Sequence, residues 1–138
     1  MTPNADDQSR LEPGCTASVS LIVTEAQTAP RLGSGRAPVF ATPALVALFE
    51  GAAVACVEDR IGAGQETLGV HINVEHIAAT PVGLKVTASA ELVERDGRKL
   101  VFDVTARDER ELIGRGRHTR IIVDSARFRA KVQAKGEN

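Results

Sequence analysis

Apolar and polar positions alternate along most of the C-terminal two-thirds of the chain and run together in one segment before it. Residues 15–24 (CTASVSLIVT) are β-branched and partly alternating, which predicts a strand. Residues 43–57 (PALVALFEGAAVACV) are apolar on every face except at Glu50, the pattern of a buried helix. Thr42 suits a cap for that helix and Pro43 its first position. Polar residues 58–60, then Gly62 and Gly64, end it. From Thr67 the period becomes two. Leu68, Val70, Ile72, Val74 and His76 fall on one face, and Gly69, His71, Asn73, Glu75 and Ile77 on the other. Further strands are predicted over 84–94, over a segment with Leu100, Phe102, Val104 and Ala106 facing inward, and over 112–124. Thr80-Pro81-Val82-Gly83 reads as a turn and Asp96-Gly97 as a tight hairpin. Residues 25–38, with Pro30, Gly33, Ser34, Gly35 and Pro38, read as a loop, and 125–135 as a short basic helix. Residues 1–13, rich in Pro, Asp and Asn, predict a loose leader before a single domain over 14–138.

The order is therefore strand, loop, buried helix, then four antiparallel strands joined largely by hairpins. One helix and one antiparallel sheet must bury each other's apolar faces, which makes an α+β fold. An antiparallel sheet wrapped around one long central helix satisfies the pattern; this is the hot-dog architecture. Its open sheet edges are covered by forming a dimer.

The chain has 138 residues, enough for one core, with 43% apolar and 25% charged residues. A net charge of -1 and only four aromatics, all Phe, argue against nucleic acid as a partner. No apolar run reaches the roughly 20 residues needed to span a bilayer, so no membrane role is expected. The N-terminus lacks a basic-then-apolar signal, and Cys15 and Cys56 form neither a metal-ligand spacing nor a disulfide framework. These features predict a cytoplasmic protein.

Three residues stand out as candidates for chemistry. Glu50 is the one charged side chain between Pro43 and Val57, so it needs a partner, water or a cleft. A carboxylate desolvated in this way gains basicity suited to a general base; the alternative is a structural Glu satisfied by backbone or a neighbouring Arg. His76 continues the inward face of its strand, so it and Glu50 are expected to approach each other within one subunit or across two. Thr42 is the third, either as a helix cap or near the chemistry; eight residues of helix rise about 12 Å, so it cannot touch Glu50 along a straight helix. His71 lies on the opposite face from His76, which argues against a metal pair. His118 has no acid paired with it in sequence. Gly69 either permits close approach of a ligand, donates its N–H to an oxyanion, or marks a bulge or dimer contact.

The segments VFATPALVALFEGAAVACV, LGVHINVEHIAATPVGLKVTASAEL, IGRGRHTRIIV and FRAKV resemble the fluoroacetyl-CoA thioesterase family of hot-dog proteins. The resemblance implies hydrolysis of an acyl-CoA thioester by a threonine, glutamate and histidine, falling here on Thr42, Glu50 and His76. It also implies that Gly69 and Arg120 contact the acyl-CoA and that two subunits of a homodimer build each site. No metal or separate cofactor is expected, since coenzyme A is part of the substrate. The basic residues Arg117, Arg120, Arg127, Arg129 and Lys131 suit its phosphates. The family's aromatic lid has no counterpart in residues 31–38 (RLGSGRAP), so hydrolysis of a short acyl-CoA is expected without fluoroacetyl selectivity. The rival readings are a hot-dog acyl-CoA hydratase or dehydratase and a non-catalytic acyl-CoA binding module.

Overall fold

A computed structural model describes residues 11–137. The elements are β1 (Thr16–Ile22), a 3-10 turn (Glu25–Gln27), α1 (Ala29–Leu32), α2 (Thr42–Val57), β2 (Gln65–His76), β3 (Lys85–Asp96), β4 (Lys99–Arg107), β5 (Leu112–Asp124) and α3 (Ser125–Gly136). The five strands form one antiparallel sheet in the order β1-β3-β4-β5-β2. Helix α2 touches all five, so the sheet wraps it. Leu45, Phe49, Ala52, Ala53, Cys56 and Val57 of α2 pack into the alternating inward residues of β3 and β4, among them Val86, Ala88, Leu92, Leu100 and Phe102. Each large side chain buried this way contributes about 1.5–3 kcal/mol. No helix among the described residues is long and apolar enough to cross a membrane.

Several expectations are corrected. Of the connections after α2, β3–β4 and β4–β5 are hairpins as expected, but β2 does not pair with β3: it pairs with β5 at the sheet edge, and β3 lies between β1 and β4. The segment 25–38 is not all loop, since it holds the 3-10 turn and α1. Leu11, expected in the leader, is fully buried in the core, and its carbonyl accepts from Arg95 at 2.9 Å. Ordered packing thus begins before residue 14; the rest of the expected leader, 1–10, lies outside the described residues.

Two further corrections concern the site. Helix α2 is not buried all round. Ala47 and Val54 are exposed, Val54 by 38%, and Glu50 lies between them at helical spacing, giving an apolar stripe on the side away from the sheet. In β2 the pairing with β5 slips between Gly69 and His71, leaving Val70 as the extra residue of a bulge. The slip reverses the alternation. Thr67 and Gly69 face inward before it, whereas Ile72, Val74 and His76 pair with the inward positions His118, Gly116 and Gly114 after it. Leu68 therefore does not share a face with His76.

Candidate active site

Helix α2 starts one residue earlier than its Pro suggests. Ala41 is the N-cap, and no side chain caps the helix. Thr42 is thus not the cap. Its hydroxyl turns to the sheet and shares a hydrogen bond of 2.8 Å with Nδ1 of His76, the last residue of β2. The edge of Phe40 meets the same ring at a centroid distance of 6.4 Å. Nε2 of His76 is buried and makes no hydrogen bond. Burial lowers the pKa of His76, so the imidazole is neutral at pH 7. Thr42 and His76 border a cleft of about 370 Å³, which is completed by Ser34–Ala37 and by Ile77, Ala78 and Ala79. The first-turn amides of α2 lack a side-chain acceptor there, and the positive end of the helix dipole faces the cleft's rim.

Glu50 sits two turns further along α2. Its side chain is 43% exposed, and Oε2 accepts from Nη1 of Arg120 at 3.2 Å. The lone acid expected from sequence is therefore an ion-paired one. Arg120 itself is 5% exposed. Its Nε donates to Oγ1 of Thr67 and its Nη2 to the Thr67 carbonyl, both at 2.9 Å, while Nη1 lies 3.1 Å from Nε2 of His118. The other nitrogen of His118, Nδ1, is 2.7 Å from the carbonyl of His71. A carbonyl only accepts, so Nδ1 carries the proton and Nε2 is free to accept from Arg120. Burial lowers the pKa of His118, which keeps this tautomer neutral. Thr67 and His118 thus hold the guanidinium where its Nη1 meets one carboxylate oxygen of Glu50.

Gly69 passes directly over this pair. A Cβ on Gly69 would lie 2.5 Å from Oε2 of Glu50, 3.1 Å from Cε1 of His118 and 3.2 Å from Nη1 of Arg120. Only a residue without a side chain lets the β2 backbone come this close.

The structure thus divides the expected residues into two groups. Thr42 joins His76, and Glu50 joins Arg120 and Gly69; no hydrogen bond or ion pair among the described residues links Glu50 to His76 or Thr42. Arg120 points inward and holds protein groups, not the open surface that contact with coenzyme A phosphates would need. His118 has no acid beside it in sequence, yet its Nε2 lies 4.0 Å from Oε2 of Glu50. The sequence carries a signal for it: Gly114, Gly116, His118, Arg120 and Ile122 form one inward-facing row of β5 at period two, in which Gly114 leaves room for Leu45 and Phe49 of α2 and Gly116 for Asn73 and Val74 of β2. His71 lies on the other face, at a larger recess of about 680 Å³ that contains the ion pair Arg117–Asp103 and none of the other candidates.

A family profile described as fluoroacetyl-CoA-specific thioesterase matches residues 23–126. The fluoroacetyl-CoA thioesterase of Streptantibioticus cattleyicolor is 43% identical over 97 residues, 70% of each chain. A solved structure of a fluoroacetyl-CoA thioesterase superposes with a TM-score of 0.86 at 35% identity, covering 91% of this chain and 97% of that one. A hot-dog-like protein from Thermanaerovibrio acidaminovorans, 19% identical, shares the fold with a TM-score of 0.84 over 94% of this chain and 96% of its own. A histidine-threonine pair at a helix start, a carboxylate held over a strand glycine and this breadth of sequence and structural match converge on one assignment: the chain belongs to the fluoroacetyl-CoA-specific thioesterase family and has its hot-dog fold.

Proposed function

We propose that this protein hydrolyses the coenzyme A thioester of a short acyl group to the free acid and coenzyme A. The observation that carries the reading is Glu50, a half-exposed carboxylate whose orientation is set by Arg120 and whose space is cleared by Gly69. Glu50 accepts a proton from water as the water oxygen attacks the thioester carbonyl carbon. The carbonyl oxygen gains charge, which the first-turn amides of α2 stabilise. The C–S bond then breaks, and the thiolate leaves with the proton that Glu50 took from water, passed to it directly or by way of His76. Thr42 fixes the imidazole of His76 at the border of the cleft. Direct attack by Glu50 to give a mixed anhydride uses the same residues and remains the alternative first step.

Within one chain Thr42 and Glu50 lie about 12 Å apart along α2, by helix rise. Two subunits bring the groups together. The edge strand β2 is long and carries exposed Val70 and Ile72, and the apolar stripe at Ala47 and Val54 lies beside Glu50. Antiparallel pairing of β2 with its copy about the strand's midpoint carries Thr42 and His76 of one subunit toward Glu50 of the other. A homodimer with two composite sites follows. Coenzyme A arrives as part of the substrate and no cofactor is needed. The free thiols Cys15 and Cys56 suit a reducing cytoplasm.

Arg36 and small residues line the loop side of the Thr42–His76 cleft, with no aromatic among residues 31–38. This supports a small acyl group without selectivity for fluoroacetyl. The test is a panel of acyl-CoAs with detection of free thiol, run on wild type and Glu50→Gln. Thiol release that Glu50→Gln reduces at least a hundredfold supports the reading; equal rates in the two proteins overturn it. Hydration of an enoyl-CoA without thiol release would favour a hydratase.

A further inference from the structure

The cleft beside the start of α2 carries one cation and no acid. Among the residues that line it, Arg36 is charged, His76 is neutral and no carboxylate is present. The loop that holds Arg36 is closed at its base. The Ala29 amide donates to the Val39 carbonyl at 3.0 Å, and the Ser34 amide to the Ala29 carbonyl at 2.9 Å. Val39 also pairs with Pro81, shortly after the Ile77, Ala78 and Ala79 wall of the same cleft. The loop is thus tied to α1 on one side and to that wall on the other, which keeps residue 36 at the cleft. The guanidinium itself makes no hydrogen bond or ion pair among the described residues. The rest of the surroundings favours the same sign of ligand. The first-turn amides of α2 have no side-chain acceptor, and the positive end of the helix faces the rim. An anion entering here meets donors and no repelling charge. A free guanidinium offers a planar fork of N–H groups that matches a carboxylate.

We infer that the acyl group is itself an anion: the substrate is the coenzyme A monothioester of a short dicarboxylic acid, with its far carboxylate on Arg36 and its thioester beside Thr42 and His76. The inference rests on the thioesterase reading and narrows its substrate class. Arg36 has two other conceivable uses, on the phosphates of coenzyme A or on the reacting carbonyl. The phosphates lie at the far end of the pantetheine arm, whereas Arg36 shares one cleft of about 370 Å³ with Thr42 and His76. The carbonyl oxygen is served by the α2 amides in the mechanism above. A charge on the acyl chain is what remains for the guanidinium to meet. The free carboxyl of such a monothioester is ionised at pH 7. Taking it from water into the cleft is costly without a partner, and Arg36 supplies one. An uncharged acyl group of the same size gains nothing from the guanidinium, so the site discriminates in favour of the anion.

The test compares isosteric pairs: malonyl-CoA with isovaleryl-CoA, and succinyl-CoA with isocaproyl-CoA. Each pair differs only in a carboxylate against an isopropyl group, so contacts to coenzyme A cancel in the ratio. Thiol release by the wild type gives a kcat/KM about tenfold higher for the anionic member of at least one pair, the gain expected of a charge-assisted contact. Arg36→Gln lowers that ratio about tenfold, and Arg36→Lys restores part of it. Arg36 is exposed, and thermal unfolding of both variants checks that the fold is unchanged. A wild type that treats both pairs alike, or prefers the uncharged members, overturns the inference and leaves thioester hydrolysis standing. A ratio that Arg36→Gln leaves unchanged also overturns it, since an arginine serving the carbonyl or the phosphates acts on both members equally. Calorimetric binding of the same pairs to the Glu50→Gln chain separates the two readings. Tighter binding of the anionic member in a protein that releases no thiol supports the anionic acyl site and defeats the hydrolytic reading alone; equal binding there overturns the inference.

Discussion

Replacing Gly69 with alanine adds a single methyl at the most crowded point of the candidate site. The new carbon falls 2.5 Å from Oε2 of Glu50, 3.1 Å from His118 and 3.2 Å from Arg120, so at least one neighbour must move. Which one gives way decides the outcome. Arg120 is tied to both Oγ1 and the carbonyl of Thr67, and His118 is tied to the His71 carbonyl; both are buried. Glu50 is the free end of a flexible side chain, 43% exposed to solvent. The carboxylate therefore swings away, and Arg120 keeps its remaining contacts. The stability cost should stay below about 2 kcal/mol, the lower part of the range for overpacking. The rate cost is larger, because displacing a reacting group by an ångström costs on the order of a hundredfold. Thermal unfolding and steady-state thiol release on Gly69→Ala measure the two separately. A variant with wild-type kcat/KM, or one that loses activity only in proportion to unfolded protein, would refute the claim that Gly69 sets the position of Glu50.

Other outcomes follow from the same geometry. Arg120→Met removes a buried cation and leaves the Thr67 carbonyl and Nε2 of His118 without their donor, so unfolding free energy should fall by about 2–4 kcal/mol in denaturant titration. Leu11→Ala empties a fully buried position and should cost about 2–5 kcal/mol in the same measurement, whereas no change would mean that Leu11 is not part of the core. Burial holds His76 and His118 below the ordinary histidine value of 6.5, so the unfolded chain takes up protons first as the solution acidifies. Stability is then complete above pH 6.5 and declines as pH falls from there toward the folded values. The acid limb of kcat/KM, if set by neutral His76, also lies below pH 6.5; a limb above it would assign the titration to another group.

Much of the fold was legible because it rests on periods. The inward rows of β3 and β4 are strict alternations that survive in the structure, and the apolar run of α2 marks the element they enclose. What periodicity could not show was pairing. Nothing in β2 itself says that its partner is β5, which begins 36 residues after β2 ends, because edge position depends on long-range contacts. The same limit governed the site. Glu50 and His76 stand out in the sequence as polar residues on apolar faces, and Thr42 as a residue at a helix start, but the guanidinium beside Glu50 does not, since Arg120 is 70 residues away in sequence. The helix start lies one position earlier than the proline suggests: Pro43 sits second in α2 and Ala41 caps it, so of the two roles open to Thr42 the cap falls away and its hydroxyl bonds histidine.

The extra residue in β2 has a consequence for how this strand tolerates change in length. Gly69 and His76 are separated by an odd number of steps, yet both look toward the helix, which no uninterrupted pleat allows. Val70 acts as a phase shifter between two reading frames. Excising it would leave an even number of steps, so a regular pleat would keep both the glycine and the imidazole facing inward; drawing Val70 into a regular pleat instead would turn the imidazole outward, away from Thr42. Keeping that one residue out of the ladder thereby fixes that both halves of the machinery open into the same interior.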